Sequence, residues 1–487
     1  MATKFSMLSP NKSRAHTHLK WAIWFYFFLL IFEGVFRKWL LPQFSDVLLV
    51  VRDPVVLVIY MLAIKARLFP RNLWILSLAI IGLLCWLVSL VVLEPYLPLK
   101  PLFLVTGFGF RCNFLHLPLI FVMARALDEA DVKKLGWWIL AGLLPMCVLL
   151  AIQFNSDAES FINRTAGLGD TQQITAGGGK IRPPGTFSFV SGVIFYASMA
   201  AVYLLYGALT RGVYKNWLLF AAGFALVVTI GVSGSRSVLL AVLLVISSLF
   251  VVLIIRPSAV NQFGRNLLIV TVLVFLAVRL PIFKEGVKVL GDRFTDVAAA
   301  EETTIAGGLI TRTFEPFSEG IKLWWYSPPV GAPWWGWGLG IGTNGGAKFL
   351  TGRAMFLLSE GEWGRVVLES GKVFGAAYLI WRTMLVCSLG TFAVRQLKTG
   401  QLLPILLYAA GFLSLLNGQF GQPTNLGFAV FICGLALAAG NPSTSPGAEP
   451  MLSSGPPRRR IARRSRYAEQ LHGAGAAPPR PDDFADR

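Results

Sequence analysis

Apolar residues along this chain come in long unbroken runs, separated by short polar or basic segments. The runs fall near 21–41, 46–64, 73–93, 101–125, 135–153, 187–209, 217–232, 238–255, 266–282, 363–394, 402–418 and 424–440. A membrane-crossing helix needs about 20 apolar residues, so the pattern predicts an all-α, polytopic transmembrane helical bundle of about 12 spans. Two segments break the rhythm. One, 154–186, is rich in Gly, Asn and Gln, and its Gly177-Gly-Gly179 suggests a mobile piece ahead of Pro183-Pro184. The other, about 283–362, is the largest extramembrane piece. Domain boundaries follow: a polar, basic leader at 1–20, a transmembrane domain at 21–440, and a basic tail at 441–487. The tail's Pro, Ser, Gly and Arg predict disorder.

Composition agrees with a membrane protein. The 487 residues are 55% hydrophobic and 14% charged, against about 25% charged in a soluble domain; mean hydropathy is +0.63. A cleaved signal peptide is not expected. The first run leads into Glu33, Arg37 and Lys38 without a small-residue cleavage site. Cys85, Cys112, Cys147, Cys387 and Cys433 lie in or beside apolar runs without metal-ligand spacing, and read as small core residues.

A net charge of +19 would suit nucleic acid, but its placement does not. Basic residues gather in short loops and in the tail stretch Arg458–Arg466, where they set topology and touch anionic lipid. Alternate loops carry Lys65, Arg67 and Arg71; Arg125, Lys133 and Lys134; Arg211 and Lys215; Arg256 and Arg265; Arg395 and Lys398. By the positive-inside rule that side is cytoplasmic and holds both termini. The loops at 154–186 and 283–362 then face outward.

Two arginines stand out on the outward side. Arg236 sits between the runs 217–232 and 238–255 with almost no loop around it. Arg182 opens the run at 187 in Arg182-Pro-Pro-Gly-Thr-Phe187. Arginine at a helix centre costs about 2.5–3.5 kcal/mol on insertion scales, so a chain keeps one where something anionic or polar meets it. The expectation is that Arg182 and Arg236 together grip a lipid-linked phosphate. Near the outer face, Glu362, Arg365 and Glu369 share one side of a helix. They make either an ion-paired cluster or a catalytic one, in which a carboxylate takes a proton from an attacking hydroxyl. Trp334, Trp335 and Trp337 form either an interfacial aromatic belt or a platform for sugar rings.

Other motifs carry less. The alternate glycines of Gly336–Gly342 have neither the spacing nor the βαβ setting of a dinucleotide fingerprint, and Lys180 is followed by Ile181 where a P-loop needs Ser or Thr. His116 reads as a structural hydrogen-bonding residue. Arg52-Asp53, Arg111, Glu33 and Arg37 read as interhelix pairs. No metal or other cofactor is expected.

Four of these features, in this order, resemble the O-antigen ligase and polymerase superfamily of bacterial envelope glycosyltransferases. They are Arg182-Pro-Pro-Gly-Thr-Phe187; Ser235-Arg236; Gly336-Trp-Gly-Leu-Gly340 followed by Ile-Gly-Thr343; and Glu362-Trp-x-Arg-x-x-x-Glu369-Ser-Gly-x-x-x-Gly375. Glu33-Gly-x-x-Arg37-Lys-Trp39 with Arg52-Asp53 is similar to a subset of it. The resemblance spans about 30–390 and implies a multi-pass glycosyltransferase of the bacterial inner membrane. Such an enzyme takes an undecaprenyl-diphosphate-linked oligosaccharide as donor and another as acceptor at the periplasmic face. It implies diphosphate binding by Arg182 and Arg236, and chain-length regulator and export proteins among the partners, but no nucleic acid. The family's ligases carry a histidine just before the helix that leaves the large loop; Met355–Glu362 has none. The departure favours polymerisation of repeat units. Transfer of a glycan to another acceptor and transport of lipid-linked sugars are the alternatives.

Overall fold

Helices account for every predicted apolar run that the structure describes. This computed structural model describes residues 10–166, 180–257 and 305–442, together with Gln173, Thr175–Gly177, Arg279, Pro281 and Lys288. Apart from Arg279, Pro281 and Lys288, the predicted run at 266–282 and the start of the large loop lie outside the described residues, as does the basic tail from 443. In chain order the helices are α1 (Pro10–Val35), α2 (Arg52–Lys65), α3 (Leu73–Leu93), α4 (Leu99–Phe110), α5 (Leu119–Ala126), α6 (Glu129–Asn155), α7 (Ser191–Leu209), α8 (Asn216–Val232) and α9 (Arg236–Ile255). After them come α10 (Ile305–Trp325), α11 (Asn344–Thr351), α12 (Glu362–Ser370), α13 (Ala376–Thr399), α14 (Leu403–Asn417) and α15 (Pro423–Ala438). A short antiparallel pair, β1 (Thr175–Gly177) and β2 (Lys180–Ile181), is the sheet among the described residues.

Seven helical stretches among the described residues are long and apolar enough to cross a membrane, or up to eight if the bent pair Pro42–Leu48 and Arg52–Lys65 is one span. Three further apolar helices are shorter: α8 with 17 residues, α14 with 15 and α15 with 16. At about 1.5 Å per residue these fall short of a hydrocarbon core roughly 30 Å thick. For α15 the reason lies in its surroundings. Its side chains are almost all buried, packed by α14, α5, α7 and α13. A helix sheathed in protein need not match the bilayer.

Local sequence sets several ends. Asn72 caps α3 by accepting from the Ile75 N–H at 3.0 Å, and Asp128 with Asp131 forms a reciprocal capping box at the start of α6. The described part of the polar leader joins the fold. From Pro10 it is already part of α1, with Leu19 buried, Lys20 paired to Asp131 and the His16 ring 2.9 Å from the Ala126 carbonyl oxygen.

Three wide π-type turns interrupt helices at Phe36–Leu40, Arg111–Leu115 and Gly371–Gly375. Such turns re-aim side chains inside an otherwise regular helix, and all three adjoin the polar cluster described below. The described part of the large loop folds back onto the bundle. Helix α10 packs on α12 and α11 on α4, while Lys348 reaches Asp46 at 2.6 Å.

Candidate functional site

Gly336, Gly338 and Gly340 each lie where a side chain would not fit. Gly340 has φ +93°, and a Cβ on it would overlap the Val105 carbonyl oxygen of α4. Left-handed backbone and close approach together select glycine there. On the other side, α12 ends at Gly371 (φ +74°), and the loop takes up its loose carbonyls. Trp337 N–H donates to Leu368 O (2.8 Å) and Gly338 N–H to Glu369 O (3.0 Å). The alternate glycines are thus a backbone plug between α4 and the end of α12.

Glu362, Arg365 and Glu369 project from α12 into the same region, and all three are buried. Arg365 donates to Glu362 through Nε and Nη2 (3.0 Å each) and to Glu369 Oε2 through Nη1 (2.6 Å). Its Nη2 also donates to Asn113 Oδ1 at 2.8 Å. Arg382 of α13 adds a second guanidinium. It donates to Glu362 Oε1 at 2.7 Å and to Leu415 O at 3.0 Å, and lies 4.0 Å above the Phe420 ring. Glu369 Oε1 accepts the Gly342 N–H at 2.8 Å, which ties the plug to the cluster. Buried charges survive only when paired and hydrogen-bonded in this way. With two guanidiniums and the Phe420 N–H upon it, Glu362 is saturated as an acceptor. The arrangement suits a rigid scaffold better than a free base.

A second cluster joins α1, α2 and the segment leading into α7. Arg52 donates to Glu33 Oε2 at 3.0 Å, and Arg37 to Glu33 Oε1 at 3.3 Å. Arg37 Nη1 also donates to Ser188 Oγ at 3.0 Å, and Lys38 Nζ to Gly185 O at 2.6 Å. At Gly34 a Cβ would overlap the backbone of Thr186–Ser188. The early Glu33–Trp39 motif therefore docks directly on the Arg182–Phe187 motif. Gln153 completes the clasp, accepting the Gly185 N–H at 2.8 Å.

The turn at Arg111–Leu115 links the two clusters. Arg111 pairs with Asp53, which also lies 2.8 Å from His116 Nε2; Tyr26 Oη stands 3.2 Å from His116 Nδ1. Two residues after Arg111, Asn113 meets Arg365. The expected interhelix pairing is present for Arg52 with Glu33 and Arg111 with Asp53, whereas Arg37 pairs with Glu33 one turn earlier on its own helix; His116 has the structural hydrogen bonds expected of it.

Arg182 is half-buried, directly after β2, and Arg236 is half-buried at the first turn of α9. The segments they open, α7 and α9, pack on one another. The expected aromatic platform is solvent- or lipid-facing: Trp334, Trp335 and Trp337 are all exposed, with Lys372 Nζ 5.6 Å from the Trp334 ring and Trp335 beside Phe374. A small cleft opens at Glu362 and Arg365. Gly342, Thr343, Asn344, Glu360, Gln419 and Gln422 line it. Sequence reasoning missed Asn113, Arg382 and the cleft amides. A second Arg deep in the run 363–394, after Arg365, was the available signal for Arg382; the others are unremarkable polar residues until the fold assembles them. No group of three or more His, Cys, Asp or Glu that would hold a metal exists among the described residues.

No family model matches this chain, and no curated protein sequence matches it.

Proposed function

We propose that this chain is a membrane glycosyltransferase that polymerises undecaprenyl-diphosphate-linked oligosaccharide repeat units at the periplasmic face of a bacterial inner membrane. The supporting observation is convergence. Four of the five stretches behind the resemblance, those at 33–53, 182–187, 336–343 and 362–375, are joined in one network of buried contacts, although more than half the chain separates the first from the last. Amide and hydroxyl side chains at the adjoining cleft, Asn344, Thr343, Gln419 and Gln422, have the chemistry that reads sugar hydroxyls.

In this proposal about 12 spans place the large loop outside. Arg182 and Arg236 hold the donor's diphosphate through charge-assisted bonds. As the bond from C1 of the donor sugar to the phosphate oxygen breaks, negative charge grows on the lipid diphosphate, and fixed cations stabilise that state more than the ground state. An acceptor hydroxyl attacks C1 and loses its proton. Arg365, with Glu362 and Glu369, holds the Gly336–Gly342 plug and the cleft wall in place; any proton acceptor is a carboxylate less occupied than Glu362.

The test is an in vitro reaction with an undecaprenyl-diphosphate oligosaccharide. The proposal expects a lengthened glycan on the carrier. Transfer to a different acceptor points instead to a ligase, and movement across vesicles without a change of bonds to a transporter. Arg236→Ala and Arg236→Lys should both lose polymer at equal protein level; unchanged length and yield would refute the diphosphate grip.

A further inference from the structure

At the first turns of α6 a groove of about 400 Å³ opens beside the turn that joins α7 to α8. Lys133, Lys134 and Trp137 form one wall, and Arg211 with the following Gly212, Val213 and Tyr214 the other. None of these residues belongs to the polar network above. The walls are fixed to each other: Tyr214 Oη donates to the Lys133 carbonyl at 3.0 Å, and Gly136 leaves room for the Tyr203 and Tyr214 rings against α6.

Carboxylates meet several of the charges around the groove. Glu129 pairs with Lys133 at 2.8 Å, and Asp128 and Asp131 face Lys20. Lys134 has no carboxylate partner among the described residues; its ammonium rests 5.8 Å from the Trp24 ring. Arg211 stands exposed on the opposite wall. Two cations from separate elements thus flank a recess with Trp137 and Val213 at its side.

Beyond the groove the surface is apolar and bare. Trp137 and Trp138, edge to face at 5.0 Å, are 39% and 53% exposed. Helix α8, which packs on α6, exposes Trp217 and Phe220. Indoles of this kind sit at the headgroup level of a bilayer. A soluble phosphate would use the cations and leave this strip uncovered; a phospholipid would use both. We infer that the groove binds the phosphate headgroup of an anionic phospholipid between Lys134 and Arg211, with its acyl chains along Trp138, Trp217 and Phe220. The inference does not depend on the glycan chemistry proposed above.

The full chain, purified in mild detergent, is exposed to dioleoyl phosphatidylglycerol or dioleoyl phosphatidylcholine, and bound lipid is counted by native mass spectrometry. Each basic residue near a lipid surface contributes enough for the double variant Lys134→Gln/Arg211→Gln to weaken phosphatidylglycerol binding roughly thirtyfold. The charge-matched control Lys65→Gln/Arg71→Gln, in another basic loop, should weaken it far less, and Lys134→Arg should leave it unchanged. Thermal unfolding of each variant verifies the fold. Equal losses in groove and control variants would mean a diffuse field and overturn the site. So would phosphatidylcholine binding as tightly as phosphatidylglycerol, or full displacement of the lipid by millimolar inorganic phosphate.

Discussion

Arg365 and Asn113 are 252 positions apart in the chain, yet the Arg365 guanidinium donates to the Asn113 side-chain oxygen at 2.8 Å in the buried interior. Through that bond the helix leaving the large loop is tied to the turn after α4. Arg111 in the same turn pairs with Asp53, and Asp53 is sequence neighbour to the Arg52 that pairs with Glu33. The molecule's buried charges are thus relayed rather than scattered.

Arg365→Met should destabilise the protein by about 3–5 kcal/mol, because Glu362 and Glu369 would be left buried without their shared cation. Arg365→Lys should fall in the same direction, since one ammonium cannot meet both carboxylates and Asn113 in the geometry of the fork. The drop in thermal unfolding temperature in detergent reads both. The double variant Arg365→Met/Glu369→Gln should recover part of the loss, because Glu362 keeps Arg382 as its partner and no buried charge is left uncompensated.

Gly340→Ala and Gly352→Ala make a matched pair. Both glycines have positive φ, but a Cβ at Gly352 meets nothing within 4 Å, whereas at Gly340 it overlaps the Val105 carbonyl oxygen. Gly352→Ala should cost about 1–2 kcal/mol from backbone conformation alone. Gly340→Ala should cost clearly more and displace the plug, seen as a lower unfolding temperature and poorer monodispersity on size exclusion.

Lys38→Met removes the donor to Gly185 O while keeping most of the side chain's volume. An under-satisfied buried carbonyl costs about 1–3 kcal/mol. The loss should be local: hydrogen exchange should quicken over the Arg182–Phe187 segment and its clasp at Gln153, more than across α14 and α15. A uniform increase would show that Lys38 supports the whole bundle instead.

Trp334→Ala with Trp335→Ala should change stability by no more than about 0.5 kcal/mol, as expected of exposed positions. If these rings hold sugar, the double variant should shorten or deplete polymer at equal protein level in the reaction above. Unchanged product would assign them to the membrane interface alone.

The residue pattern by itself determined the helical class, because runs of apolar side chains long enough for a bilayer leave the backbone few other ways to satisfy its own N–H and C=O groups. It also marked Glu362, Arg365 and Glu369 as one helix face, since three- and four-residue steps align on any α-helix. Tertiary structure decided what those charges do. Arg382 and Asn113 join Arg365 and Glu362 only once α13 and the turn after α4 are packed beside α12. The alternate glycines acquire their meaning from α4 and Gly371 pressing on them from two sides. Likewise the short α15 could not be told from a membrane-facing span by its composition: apolar side chains suit lipid and protein interior equally, and only packing separates the two.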